Sequence, residues 1–264
     1  MIQVENLSKS FGNFHLLEKI DFAVKPGERV TIIGPGGCGK STLLKILLGL
    51  EPPSSGSVNV MDLDMVNSKP KERQELLRKV GVAFQQGALF DYMTVEDNIR
   101  FAIEHMTDMS EQEAGEKIDQ LLTAVKLPHT KSMYPYELSG GMQRRIGIVR
   151  AMATDPVLTF FDEPTSGLDP VTSTIILNMI LDLAGQKEGN TLIVATSAVE
   201  IAMRFSERII MLNEGVIAAD GNWKDLLVDG PEWVQHFLSA RLIGIDINYA
   251  RELQLPEDFI KRHW

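Results

Sequence analysis

Gly34-Pro35-Gly36-Gly37-Cys38-Gly39-Lys40-Ser41-Thr42 is the stretch that decides how this chain is read. Before it, Arg29 to Ile33 is a short apolar run that predicts a strand. After it, Leu43, Leu44, Ile46, Leu47 and Leu48 predict a helix, ended by Gly49. The spacing Gly-x-x-x-x-Gly-Lys-Ser between a strand and a helix is a phosphate-binding loop. Small residues let successive backbone N–H groups curl around phosphate oxygens, and the helix start adds partial positive charge. In such a loop Lys40 reaches the β- and γ-phosphates of a nucleotide and the Ser41 hydroxyl ligates Mg²⁺. Cys38 reads as filler whose backbone N–H matters more than its thiol.

Further along, Val157 to Phe161 is too apolar to face water and predicts an inner strand. It delivers Asp162 and Glu163 at its C-terminal end, where ligands bind in open α/β sheets. Adjacent strand residues point to opposite sides, so one carboxylate can support a metal while the next polarises an attacking water. Asp162 is assigned to Mg²⁺ and Glu163 to the base. Between the two motifs, Leu138-Ser139-Gly140-Gly141-Met142-Gln143 opens a helix that carries Arg144, Arg145 and Arg150. Ser139 suits an N-cap, and the two glycines let backbone N–H groups approach an anion.

The remaining texture fits an α/β chain. Ile2 and Val4 alternate, as do Ile20, Phe22 and Val24 before the Pro26-Gly27 turn, which predicts β structure at the start. From Gln85 to about Asp155 the pattern turns helical, with capping boxes at Thr94–Asp97 and Ser110–Glu113. Val80 to Phe84, Leu192 to Ala195 and Ile209 to Leu212 are further strands of a mainly parallel sheet covered on both faces. After about Val228 an aromatic-rich tail follows, holding Trp233, Phe237, Leu238, Ile243, Ile245, Tyr249, Phe259 and Trp264. It reads as an extension with helical pieces, docked on its own core or held by a partner.

Composition bounds the rest. At 44% hydrophobic and 23% charged, the 264 residues can bury a sizeable core. The net charge of −10 argues against nucleic acid as a partner. A single cysteine allows no intrachain disulfide and fits a reducing compartment. The first residues lack a secretory pattern, and no apolar run reaches the length of a membrane span. Work at a membrane therefore needs another chain to hold this one there.

Taken together, Gly34–Thr42, Gln85, Leu138–Gln143, Val157–Glu163 and Ser166-Gly167-Leu168-Asp169 fall in the order and spacing of ABC-transporter nucleotide-binding subunits, which the chain resembles over about residues 2 to 225. The resemblance implies a RecA-like core with an N-terminal antiparallel β-subdomain and an inserted helical subdomain at about 86–155. On that reading the ATPase domain spans 1–227 and the extension 228–264. It implies Phe11 as the ring that stacks on adenine, and Gln85 as the residue linking the γ-phosphate and Mg²⁺ to the helical subdomain. Ser139, Gly140, Gly141, Met142 and Gln143 would bind the γ-phosphate held by the other protomer of a head-to-tail homodimer, with Asp169 at the seam. The helical segment would carry a groove for a membrane permease.

Phe84–Phe90, Tyr134–Met142, Gly167–Val171 and Gly230–Leu238 are similar to the ATPases of Mla- and Mce-type lipid transporters. That resemblance implies phospholipid or related lipid movement between bacterial membranes, work at the cytoplasmic face of the inner membrane, and a membrane-anchored lipid-binding protein. A small regulatory protein would sit beside the ATPase. One position departs from the family: the histidine expected after the strand Leu192–Ala195 is Ser197. Serine is shorter and carries no charge. A lost hydrogen bond to a charged group predicts hydrolysis slower by roughly 10- to 100-fold. Other readings of the same residues are a different importer, a soluble assembly system such as iron–sulfur cluster assembly, and a non-hydrolysing nucleotide switch.

Overall fold

The structure is a computed structural model that describes residues 1–85, 87–185, 189–240, 242, 254–256 and 259–260. Ile243, Ile245, Tyr249 and Trp264, named above, and Gln86 within Phe84–Phe90 lie outside the described residues. The chain divides into two compact units, residues 1–24, 29–66 and 194–264 in the first and 25–28 and 67–193 in the second.

In the first unit, strands β1 (Ile2–Phe11) and β2 (Phe14–Val24) form an antiparallel hairpin with Phe11 opposite Phe14. On its other edge β1 pairs with β4 (Ser55–Val60), and β4 with the short β5 (Leu63–Asp64). The alternation in the sequence is the alternation in space: Ile2, Val4, Ile20, Phe22 and Val24 are all buried. Strand β3 (Arg29–Ile33) lies parallel to β9 (Arg208–Asn213), and β9 pairs antiparallel with β10 (Val216–Asn222). Val30, Ile32 and Ile33 have no exposed surface, so β3 holds the following loop on a fixed base.

The same unit carries helices α1 (Lys40–Leu47), α7 (Val199–Phe205), α8 (Trp223–Asp229) and α9 (Glu232–Ala240). Trp223 and Leu227 of α8, Val234 and Leu238 of α9, and Leu242, Leu255 and Phe259 beyond it share one buried cluster with Ile33, Val199, Met203 and Met211. The described part of the tail therefore docks on the chain's own core. Each fully buried side chain of this size contributes roughly 1.5–3 kcal/mol. Trp233 and Phe237 stack on each other, their ring centroids 5.4 Å apart, and Trp233 stays 39% exposed.

In the second unit, β6 (Val80–Ala83) runs parallel to β7 (Leu158–Asp162). Strand β8 (Thr191–Thr196) begins here and passes into the first unit, and its first residue donates its N–H to the Val157 carbonyl at 3.0 Å. The helices are α2 (Pro70–Leu77), α3 (Val95–Met106), α4 (Glu111–Ala124), α5 (Gly140–Met152) and α6 (Pro170–Gly185). Both expected capping boxes are present: Thr94 Oγ1 accepts from Asp97 N–H and Ser110 Oγ from Glu113 N–H. The buried Asn98 fastens the segment before α3, donating to the Phe90, Met93 and Thr94 carbonyls at 3.0–3.1 Å and accepting from Phe90 N–H at 2.8 Å. Among the described residues no helix is long and apolar enough to cross a membrane.

Candidate functional site

The phosphate loop lies wholly in the first unit, between β3 and α1. Gly34 has no room for a side chain, because a Cβ there would stand 2.2 Å from the Leu212 carbonyl oxygen. Gly37 (φ 79°) and Gly39 (φ 106°) take left-handed backbone that other residues resist. A Cβ at Gly36 or Gly37 would meet nothing within 4 Å, so the outer side of the turn is open. Gly39 caps α1 with backbone alone, having no side chain to accept from the first-turn N–H groups. Donors in that arrangement suit an anion.

Lys40 is buried to 5% exposure, and its Nζ donates to the Gly34 and Pro35 carbonyls at 2.9 and 3.0 Å. The ammonium is thereby held inside the curl of the loop. Ser41 and Thr42 follow half-buried in the first turn of α1, and Cys38 is half-buried with its N–H turned to the Pro35 carbonyl at 3.4 Å. Phe11 is half exposed at the hairpin end of β1. The Lys9 ammonium stands 4.7 Å from the ring centroid of Phe11 and is anchored by Glu51 and by the Pro52 carbonyl, at 2.7 Å for the latter. The sequence offered no sign of that cation–π contact, since the anchor comes from residues over forty positions away. Ser197 is exposed just past the end of β8, and Ala198 N–H beside it donates to Thr196 Oγ1 at 3.1 Å.

In the second unit Asp162 is the last residue of β7 and is 8% exposed. Glu163 has already left the strand, with φ at 45°. The expectation that the two carboxylates alternate across one strand is thus replaced by a different device: a left-handed residue re-aims the second carboxylate. The chain then turns on itself, Ser166 N–H donating to the Glu163 carbonyl at 3.2 Å and Leu168 N–H to that of Thr165 at 3.2 Å. Gln85, exposed after β6, donates through Nε2 to Ser166 Oγ at 3.3 Å. Arg144 Nη1 donates to the Ser166 carbonyl at 2.5 Å.

Ser139 caps α5 as expected, its Oγ accepting from Met142 N–H at 3.3 Å. Ser139 and Gly140 are exposed, and Gly141 and Met142 half-buried. The Gln143 side chain is turned back on its own motif, donating to the Pro135 and Leu138 carbonyls at 2.8 and 3.3 Å. Asp169 is engaged with the start of α6, accepting from Thr172 N–H at 2.9 Å and from Thr172 Oγ1 at 2.6 Å. Those bonds from Thr172 hold the Asp169 carboxyl below the usual carboxylate range. Burial lowers the pKa values of the Arg145 and Arg150 guanidinium groups, which donate to the Val125 and Gly87 carbonyls.

Comparison with known proteins places these features in a family. Residues 17–166 match the model of the ABC transporter family. The chain is 38% identical over 229 residues to the arginine transport ATP-binding protein ArtM of Bacillus subtilis, covering 86% of this chain and 94% of ArtM. It is 39% identical over 242 residues to the glutamine transport ATP-binding protein GlnQ of Escherichia coli, covering 89% of this chain and 99% of GlnQ. Among solved structures, the dimeric ATP-binding cassette MJ0796 in a post-hydrolysis state, bound to ADP and Pi, superimposes with a TM-score of 0.77 at 30% identity, covering 84% of this chain and 98% of that one. The chain thus belongs to the ABC transporter family and has that family's nucleotide-binding fold.

Proposed function

We propose that this chain is the ATP-hydrolysing subunit of a transporter, acting as a head-to-tail pair of copies beneath a membrane permease at the cytoplasmic face of the bacterial inner membrane. One observation carries the reading: a glycine-capped helix start with a buried lysine inside an open glycine turn. Lys40 and the loop N–H groups hold the β- and γ-phosphates, and Phe11 stacks on adenine. The oxygen donors assigned to Mg²⁺ are the Ser41 hydroxyl, the Gln85 side-chain oxygen and the Asp162 carboxylate, a hard set that suits this ion. Mg²⁺ held by these donors would supply charge neutralisation to the bound nucleotide's phosphates. Glu163 takes a proton from the attacking water, and Ser197 occupies the place of a phosphate-contacting histidine. Ser139, Gly140, Gly141, Met142 and Gln143 complete the phosphate shell of the other copy, with Asp169 at the seam. Residues 1–227 are read as the ATPase domain, with its helical part at about 86–155, and 228–264 as the extension.

The oligomeric state tests this directly. Glu163→Gln with Mg²⁺ and ATP should run as a dimer in light scattering, and removal of the nucleotide should return it to monomer. A monomer at saturating ATP in the presence of its permease would overturn the reading.

For the cargo we read a phospholipid or related lipid, moved together with a membrane-anchored lipid-binding protein and a small regulatory protein. Its support is the wording of Phe84–Phe90, Tyr134–Met142, Gly167–Val171 and Gly230–Leu238. Amino-acid import is the second reading, and the arginine and glutamine transport relatives favour it. Those two carry different cargo at 38% and 39% identity, so likeness in the cassette tracks the shared ATP chemistry. Purifying the tagged full-length chain from its own membranes with its permease, then reconstituting both, separates the readings. ATP-driven movement of labelled phospholipid without uptake of labelled arginine or glutamine supports the lipid; the reverse result supports amino-acid import.

A further inference from the structure

Ser166 is held from two directions within the second unit. The Arg144 guanidinium on α5 donates to its carbonyl, and the Gln85 amide donates to its hydroxyl at 3.3 Å. The Ser166 N–H in turn closes a turn on the Glu163 carbonyl at 3.2 Å. One residue therefore joins the glutamine after β6, the helix opened by Ser139 and the strained residue that follows β7.

We propose that Arg144 is a positioning residue for hydrolysis, clamping the turn Glu163–Ser166 so that the left-handed Glu163 presents its carboxylate in one direction. The inference rests on the reading of Glu163 as the base. A non-glycine residue at φ 45° sits in a sparsely populated region and persists only where its surroundings hold it there. The surroundings here are a buried strand end on one side and the Ser166 anchor on the other. A guanidinium is suited to the anchor, because its rigid plane fixes direction where a flexible ammonium would not. Electrostatics agree with the placement: burial lowers the pKa of Arg144, and the Glu163 charge acts on it in the opposite sense. Since the clamp ends on a backbone carbonyl, the identity of residue 166 matters little to it, whereas the bond from Gln85 depends on the Ser166 hydroxyl. The first turns of α5 thus have two jobs: their outer side carries Ser139 and Gly140, and Arg144, one turn in, steadies the base of the same copy.

The test uses the full-length chain with Mg²⁺-ATP. Arg144→Met keeps much of the side-chain volume without the donors, and Arg144→Lys keeps the charge without the planar fork. Turnover should fall about tenfold or more in Arg144→Met, with partial recovery in Arg144→Lys. KM for ATP and equilibrium binding of ATP should stay within about twofold, because Arg144 is not among the residues assigned to the nucleotide and its guanidinium is spent on the Ser166 carbonyl. Ser166→Ala should cost less than Arg144→Met. Turnover of Arg144→Met within about twofold of wild type overturns the proposal. So does a parallel loss of ATP binding and melting temperature, which would make Arg144 a packing residue only. Glu163→Gln is run alongside: should it hydrolyse ATP at the wild-type rate, the assignment of the base has failed, whatever Arg144 does.

Discussion

Two helices of this chain begin at glycines, and their starts are finished differently. At α1 the cap is Gly39, which has no side chain to offer the first turn, and a buried lysine is the first helical residue. At α5 the cap is Ser139, whose own oxygen already takes the Met142 N–H, and the first turn has no basic side chain until Arg144. The first start gets no capping oxygen from its own N-cap residue and carries a positive charge, an arrangement that suits a phosphate group. The second is partly satisfied by itself and offers only a hydroxyl and a few N–H groups. An anion there needs charge from elsewhere, which is what a second copy carrying its own Lys40 would bring. On the proposed reading, the asymmetry would separate a primary phosphate site from a secondary one completed when two copies meet.

The largest effect that can break this distinction is at Lys40. Lys40→Met removes the ammonium from the primary site while leaving the glycine turn intact. Two charge-assisted hydrogen bonds are lost, so ATP affinity or turnover should drop by roughly 100- to 1,000-fold. Measured ATP binding and hydrolysis within about threefold of wild type would show that α1 is not the primary site.

Ser197 sharpens the comparison from the side of chemistry. It is exposed at the end of β8 and can donate a hydrogen bond but no charge. Ser197→His should raise turnover by roughly tenfold, up to 100-fold, with KM for ATP little changed. Equal rates would show that the chain has made good the missing imidazole by another route.

What could be read ahead of the structure follows from how local each signal is. The strand–turn–helix around Gly34–Thr42, the boxes at Thr94 and Ser110 and the cap at Ser139 are set by residues within a few positions of one another, and all of them are present. Strand β10 escaped notice because Val216–Asn222 sits at the end of its sheet and has no fully buried residue, so it lacks the apolar alternation of an inner strand. Helix α2 buries only Leu76, which leaves no periodic stripe to detect. The left-handed Glu163 and the bond from Arg144 to Ser166 have no local signature at all. The bond from Arg144 to Ser166 joins residues 22 positions apart, and a motif match fixes neither it nor the backbone angle at Glu163.

Phe11 gives a milder test of the primary site. Phe11→Leu keeps an apolar side chain but loses the aromatic face, and the Lys9 cation loses its ring. A stacking contact of about 1 kcal/mol predicts a KM for ATP raised by roughly fivefold with kcat nearly unchanged. A fall in kcat alone would argue that the ring does not meet the base.

The smallest effect separates cap from contact at the secondary start. If Ser139 serves only to hold α5 together, its replacement should follow capping energetics. Ser139→Ala would then cost about 1 kcal/mol of stability and Ser139→Gly only about a few tenths, because glycine is a tolerated cap. Turnover in Ser139→Gly would be close to wild type. If the hydroxyl also reaches a phosphate held by a second copy, both variants lose that bond equally. Turnover should then fall by roughly tenfold in each, while melting temperature still ranks glycine above alanine. Stability following the cap while activity ignores it is the pattern expected of a serine that is part of its own helix and completes the site of another copy. An activity loss in proportion to stability would leave α5 as a structural helix and α1 as the chain's only phosphate-binding start.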